Sequence, residues 1–142
     1  MSFRERMQVG TSAAEIAVLI RLQKMHLIEL MHPLGTTIVF IGGGAIFYEK
    51  ECLPRQVIQK CQGFTVPDFP FLDAKMPTYL DGPPHLKKGV MNRDYGIDTK
   101  LRQVGLLPLR FAYKPKLSEE RLQEICDTIK TLLEKRQPKK EG

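Results

Sequence analysis

Hydrophobic and polar residues follow four different rhythms along this chain. From Ser12 to His32, Leu, Ile, Met and Ala dominate. Ser12, with Glu15 three positions on, has the spacing of a capping box and predicts a helix over 12–32. Around that helix Glu15, Arg21, Gln23, Lys24, His26, Glu29 and His32 spread over a broad arc. The apolar face left over is wide, as in a helix that lies against protein or at a membrane interface.

Pro33 interrupts this pattern. Residues 34–48, LGTTIVFIGGGAIFY, then run for fifteen positions without a charge, closed by Glu49 and Lys50. A spanning helix needs about twenty apolar residues, with about seventeen as the low end. The run is short, but it lengthens if it continues backward through Met25. The expectation is a single short transmembrane helix in which Gly42, Gly43 and Gly44 permit close helix packing. The alternative is a buried strand, TTIVFI, closed by a glycine turn.

Pro54 opens a short helix over 54–62, with Val57, Ile58 and Cys61 inward and Gly63 ending it. Pro67, Pro70, Pro77, Pro83 and Pro84 then fall within eighteen residues. Phe64, Phe69, Phe71, Tyr79, Tyr95, Phe111 and Tyr113 punctuate the same region. A linker without a role is poor in aromatics. Residues 64–116 therefore read as an extended arm lying along a partner, anchored by Phe64, Phe69, Phe71, Tyr79, Phe111 and Tyr113. The last stretch, 118–137, is helical: Ser118 can cap it, and Glu119 and Glu120 suit the first turn. Leu122, Ile125, Cys126, Ile129, Leu132 and Leu133 form one stripe. That stripe predicts an amphipathic docking helix, with Leu122, Ile125, Ile129 and Leu132 against a partner. The fold expected is mainly α with long extended segments, not a compact independent domain.

Charge changes the picture in one place. The chain has 142 residues and a formal charge of +6. Residues 82–116 hold eight basic and two acidic residues, which accounts for the whole excess. Lys87, Lys88, Arg93, Lys100, Arg102 and Arg110 are the expected contacts to an acidic partner. Residues 1–11 are polar. They do not make a secretory signal, because the apolar stretch after them lacks a small-residue cleavage site and contains Arg21 and Lys24. Cys52, Cys61 and Cys126 cannot all pair within one chain and read as reduced thiols. The Cys52–Cys61 spacing resembles the twin-cysteine pattern of mitochondrial intermembrane-space proteins, but it is one residue short and lacks the second pair.

Candidate chemistry thins out on inspection. Residues 38–46, IVFIGGGAI, resemble the strand and glycine turn of a dinucleotide site in pyridine-nucleotide disulfide reductases. Gly42 and Gly44 match the first two glycines, but Phe47 stands at the third, and no strand ending in an acid follows. Glu29-Leu30-Met31-His32 matches one Glu-x-x-His unit of a di-iron bundle, which needs two such units and two further glutamates. Asp68, Asp73 and Asp81 fall in the proline-rich arm, which offers no rigid frame for a carboxylate pair. No cofactor, metal or small-molecule substrate is expected. The reading is a non-catalytic accessory subunit of a membrane complex, held by other subunits and by lipid. A mitochondrial inner-membrane respiratory or other energy-transducing complex fits. The alternative is an RNA-binding protein of an organellar ribosome or similar assembly, using residues 82–116.

Overall fold

The structure is a computed structural model that describes residues 12–49, 53–82 and 88–136, without the side chains of 88–95. It overturns the mainly α reading. The fold is α+β, with helices packed around two three-stranded sheets.

Helix α1 (Ala13–Lys24) starts where Ser12 Oγ accepts from the Glu15 N–H at 3.1 Å. It ends well short of His32. His26 turns into the left-handed region at φ 58°. Its N–H then reaches the Gln23 carbonyl at 3.1 Å, and the Leu27 N–H reaches the Leu22 carbonyl at 2.9 Å. Those two bonds make a Schellman motif, which uses up the last carbonyls and stops the helix. A single 3-10 turn, Ile28–Leu30, follows.

The uncharged run is a β-hairpin. Strands β1 (Thr37–Ile41) and β2 (Gly44–Tyr48) pair antiparallel, with Ile41 opposite Gly44 and Val39 opposite Ile46. Gly42 and Gly43 form the two-residue turn at φ 59° and 82°. Two consecutive positive φ values are what a tight hairpin of this twist requires, and glycine adopts them without steric cost. The transmembrane helix is therefore a misreading. Among the described residues no helix is long and apolar enough to cross a membrane. The glycines turn the chain and pack against nothing: a Cβ on Gly42 or Gly43 would meet no atom within 4 Å. The inner-membrane expectation rested on that helix.

Short helix α2 (Arg55–Lys60) leads to β3 (Phe64–Thr65), which pairs with β1 and gives the order β2-β1-β3. The second sheet comes from the segment read as an extended arm. Its strands are β4 (Phe69–Phe71), β5 (Met76–Asp81) and β6 (Leu109–Ala112), in the order β4-β5-β6. β4 and β5 form an antiparallel hairpin. β5 and β6 run parallel, which demands a crossover, and helix α3 (Lys88–Gln103) supplies it. Helix α4 (Glu119–Arg136) closes the chain, with Ser118 Oγ accepting from the Arg121 N–H at 3.1 Å.

The prolines that argued for an arm sit where a sheet tolerates them. Pro70 and Pro77 face each other across the β4–β5 ladder. Neither can donate, so they occupy a pair that exchanges no hydrogen bonds. On the other edge of β5, β6 begins opposite Thr78, one residue past Pro77.

β5 has a core on each face. Met76 and Leu80 join Phe69, Phe71 and Phe111 against Val18 and Leu22 of α1 and Ile125 and Ile129 of α4. Tyr79 points the other way, with Leu72, Leu101 and Leu106, toward Ile38 and Phe40 of β1. Phe69 and Phe71 are fully buried. Each such burial contributes about 1.5–3 kcal/mol, enough to hold a proline-rich strand in place.

The helix end gives a stability test. His26 carries a Cβ in a conformation that costs about 1 kcal/mol for an L-residue, and its side chain is exposed. His26→Gly should raise stability in urea by about 0.5–1 kcal/mol. Gly43→Leu should lower it by at least about 1 kcal/mol, because of its φ and not because of a lost contact. A destabilised His26→Gly would show that the helix end depends on the imidazole itself.

Candidate functional site

The best-defined polar constellation lies on the α3 side of the second sheet. Alternation along β6 sends Phe111 into the core against α1 and α4 and leaves Arg110 on the opposite face, beside Tyr79 of β5. Arg110 Nε donates to both carboxylate oxygens of Asp98, at 3.0 and 2.8 Å, and Nη2 donates to Oδ1 at 2.8 Å. Nη1 donates to Asp81 Oδ1 at 3.2 Å. The guanidinium carbon stands 4.2 Å from the centre of the Tyr79 ring. The side chains of Arg110, Asp81 and Asp98 are 18%, 13% and 14% exposed.

Tyr79 extends the network. Its hydroxyl and Thr65 Oγ1 share a hydrogen bond of 2.8 Å, which ties the second sheet to β3 of the first. Burial pushes the Tyr79 hydroxyl up to about 12, against the opposing pull of Thr65 and Arg110. Asp68 Oδ2 accepts from the Leu80 N–H at 2.9 Å, so a strand donor left over where β4 diverges is satisfied. Asp81 and Asp68 thus have the rigid frame that sequence reasoning denied them. They use it on the chain's own backbone and arginine.

The remaining charged candidates divide. Lys100 Nζ donates to the Gln62 carbonyl at 2.5 Å and lies 5.8 Å from the Phe40 ring centre, so it too is engaged internally. Arg102, Lys114 and Lys116 are exposed. Lys87 lies outside the described residues, and of Lys88 and Arg93 the helical backbone alone is described. Arg121 donates to the Ala112 carbonyl from Nε at 3.1 Å and Nη2 at 2.9 Å, and its Nη1 pairs with Glu124. Beside it a cleft of about 600 Å³ opens between Tyr113, Lys114, Lys116 and Leu117. On the outer face of α4, Glu120, Glu124 and Asp127 line an open trough.

Among the described residues no three His, Cys, Asp or Glu side chains could hold an ion. His26 lies 3.9 Å from Glu29, but α1 ends before either of them, so the helix edge that would have aligned them with His32 does not form. His32 Nε2 stands 3.9 Å from Asp73, and its ring meets Phe47 edge-on at 6.1 Å. The glycine turn joins two antiparallel strands, so no helix follows it to receive a pyrophosphate. Cys61 and Cys126 are free thiols, and burial raises Cys126 to about 11. Cys52 lies outside the described residues.

The expected anchors mostly turn inward. Phe69, Phe71, Tyr79, Phe111, Leu122, Ile125 and Ile129 are buried in the chain's own core. Leu132 and Tyr113 pack partly against it. Phe64 is the exception, at 57% exposed. The other large exposed apolar residues are Ile20, Ile46, Phe47, Ile58 and Val66. All of these but Ile20 come from the first sheet and its connections. Register puts Ile46 and Phe64 on either side of Val39, which is itself fully buried, and alternation adds Val66 to the same face. Sequence reasoning missed this surface. Its signal was the absence of charge from both strands of one hairpin.

No family model matches the chain. No curated protein and no solved structure matches it.

The polar network makes two measurable demands. Asp98→Ala leaves a half-buried guanidinium short of its main partner and should cost about 3 kcal/mol in urea unfolding. Loss of the exposed Arg21–Glu119 pair should cost far less. Tyr79 carries the pH signature. Its contribution is complete below pH 10, where both folded and unfolded chains are neutral, and is lost as pH rises through about 12. The loss amounts to at most about 3 kcal/mol. Tyr79→Phe should flatten that alkaline decline, and an unchanged decline would show that Tyr79 titrates normally.

Proposed function

We propose that this chain is a non-catalytic subunit that docks on a partner protein through the outer face of the β2-β1-β3 sheet. One observation carries the reading. Ile46, Phe64 and Val66, at 41%, 57% and 39% exposed, share a single face. They flank the buried Val39 on the sheet, and large apolar side chains gathered on one face mark interaction sites, whereas scattered single ones do not. The acid, base and hydroxyl groups best placed for chemistry support the same reading, because Arg110, Asp98, Tyr79 and Thr65 bond to one another. The RNA alternative has less to draw on than the sequence suggested. Arg110 and Lys100 are engaged internally, which leaves Arg102, Lys114 and Lys116 as its described exposed cations.

A photo-crosslinking residue placed at position 64 in the full chain, in its native cells, tests the reading. It should give protein adducts that the same residue at the exposed Lys130 does not. Ile46→Ser with Val66→Ser should abolish those adducts while changing stability by no more than about 1 kcal/mol. Lys114→Gln with Lys116→Gln should leave them intact. Equal adducts at both positions, or adducts that nuclease removes, would contradict the docking face.

A further inference from the structure

Among the described residues the two sheets have four edges, and three of them are closed to further pairing. On β4, Pro70 has no N–H, and its carbonyl accepts from the His32 N–H at 2.8 Å. On β6, the terminal Ala112 carbonyl is taken by the Arg121 guanidinium. β3 is two residues long, too short to serve as a template. These are the devices by which proteins protect a sheet from unwanted strands. β2 has none of them. It is five residues long, GAIFY, with no proline and no charge.

The hairpin fixes which groups β2 presents. In a two-residue turn the flanking pair, Ile41 and Gly44, is hydrogen-bonded, and such pairs alternate along the ladder. Gly44, Ile46 and Tyr48 therefore point their N–H and C=O groups at β1. Ala45 and Phe47 point theirs outward. Among the described residues no hydrogen bond reaches those outward groups.

We infer that the outer edge of β2 pairs antiparallel with β2 of a second copy of this chain, about a two-fold axis at Ile46. This inference rests on the docking reading, since it assigns part of the same sheet to a partner. The edge is self-complementary. Placing Ala45 opposite Phe47 of the second copy, and Phe47 opposite its Ala45, matches every outward donor with an outward acceptor. The two Ile46 side chains then face each other in a non-hydrogen-bonded pair, with Cα atoms about 4.5 Å apart. The apolar row Phe64–Val39–Ile46 continues into the second copy, and two three-stranded sheets become one of six strands. Charge placement agrees. Glu49 of one copy lies opposite Gly43 of the other, so the two carboxylates stand at opposite ends of the pair and do not repel. A parallel arrangement would set them side by side.

Light scattering on the purified full chain tests this. The expected mass is twice 16.2 kDa. Ala45→Pro removes an outward N–H and leaves the β1–β2 ladder intact, so it should halve the mass with the thermal melt preserved. Ile46→Lys and Ile46→Glu should each be monomeric, because like charges meet at the axis. Mixing those two variants should restore a one-to-one dimer, which also shows that both are folded. A monomeric wild-type chain at high micromolar concentration would overturn the proposal, as would a dimer that survives Ala45→Pro and Ile46→Lys. Crosslinks from position 64 to a different protein would leave the docking reading standing in either case.

Discussion

A single strand buried on both faces organises this molecule. β5 has apolar neighbours above and below and paired strands on both sides. A strand in that position must satisfy every donor and acceptor without water. The rest of the architecture follows from that demand. α1 and α4 cover one face, and α3 with the first sheet covers the other. Where the ladder runs out, at Leu80, an aspartate side chain completes it.

The same constraint explains the polar network. Arg110 enters the layer between the second sheet and α3, where an unpaired guanidinium would be costly. Asp98 and Asp81 neutralise it, and Tyr79 gives it an aromatic face. The cluster spans α3, both parallel strands and, through Thr65, the first sheet. It sets how the layers sit on one another, which hydrophobic contact alone specifies poorly. The side chains richest in chemistry in this fold are thereby used as architecture.

Parts of this were legible in the sequence. Ser12 and Ser118 stand three residues before the N–H groups they cap, and the Leu122–Leu133 stripe is the buried face of α4. The strand alternative for TTIVFI, with a glycine turn after it, describes β1 and its turn. What misled was local in each case. His26 ends α1 although histidine is not the usual left-handed residue. Pro70 and Pro77 lie in strands because a ladder leaves every second pair unbonded. A basic run read as one charged surface had its arginine matched by Asp81, outside the run, and by Asp98 within it. Backbone and side-chain pairings decide such questions, and composition does not report them.

Whether residues 64–116 form part of a folded core or an arm on a partner is the question on which everything else turns. Amide hydrogen exchange on the isolated full chain decides it. The amides of β5, Met76–Asp81, should exchange no faster than global unfolding allows, together with those of the buried face of α4. Rapid exchange throughout 64–82, with α4 still protected, would mean that this strand is not built into the core, and the account would fail.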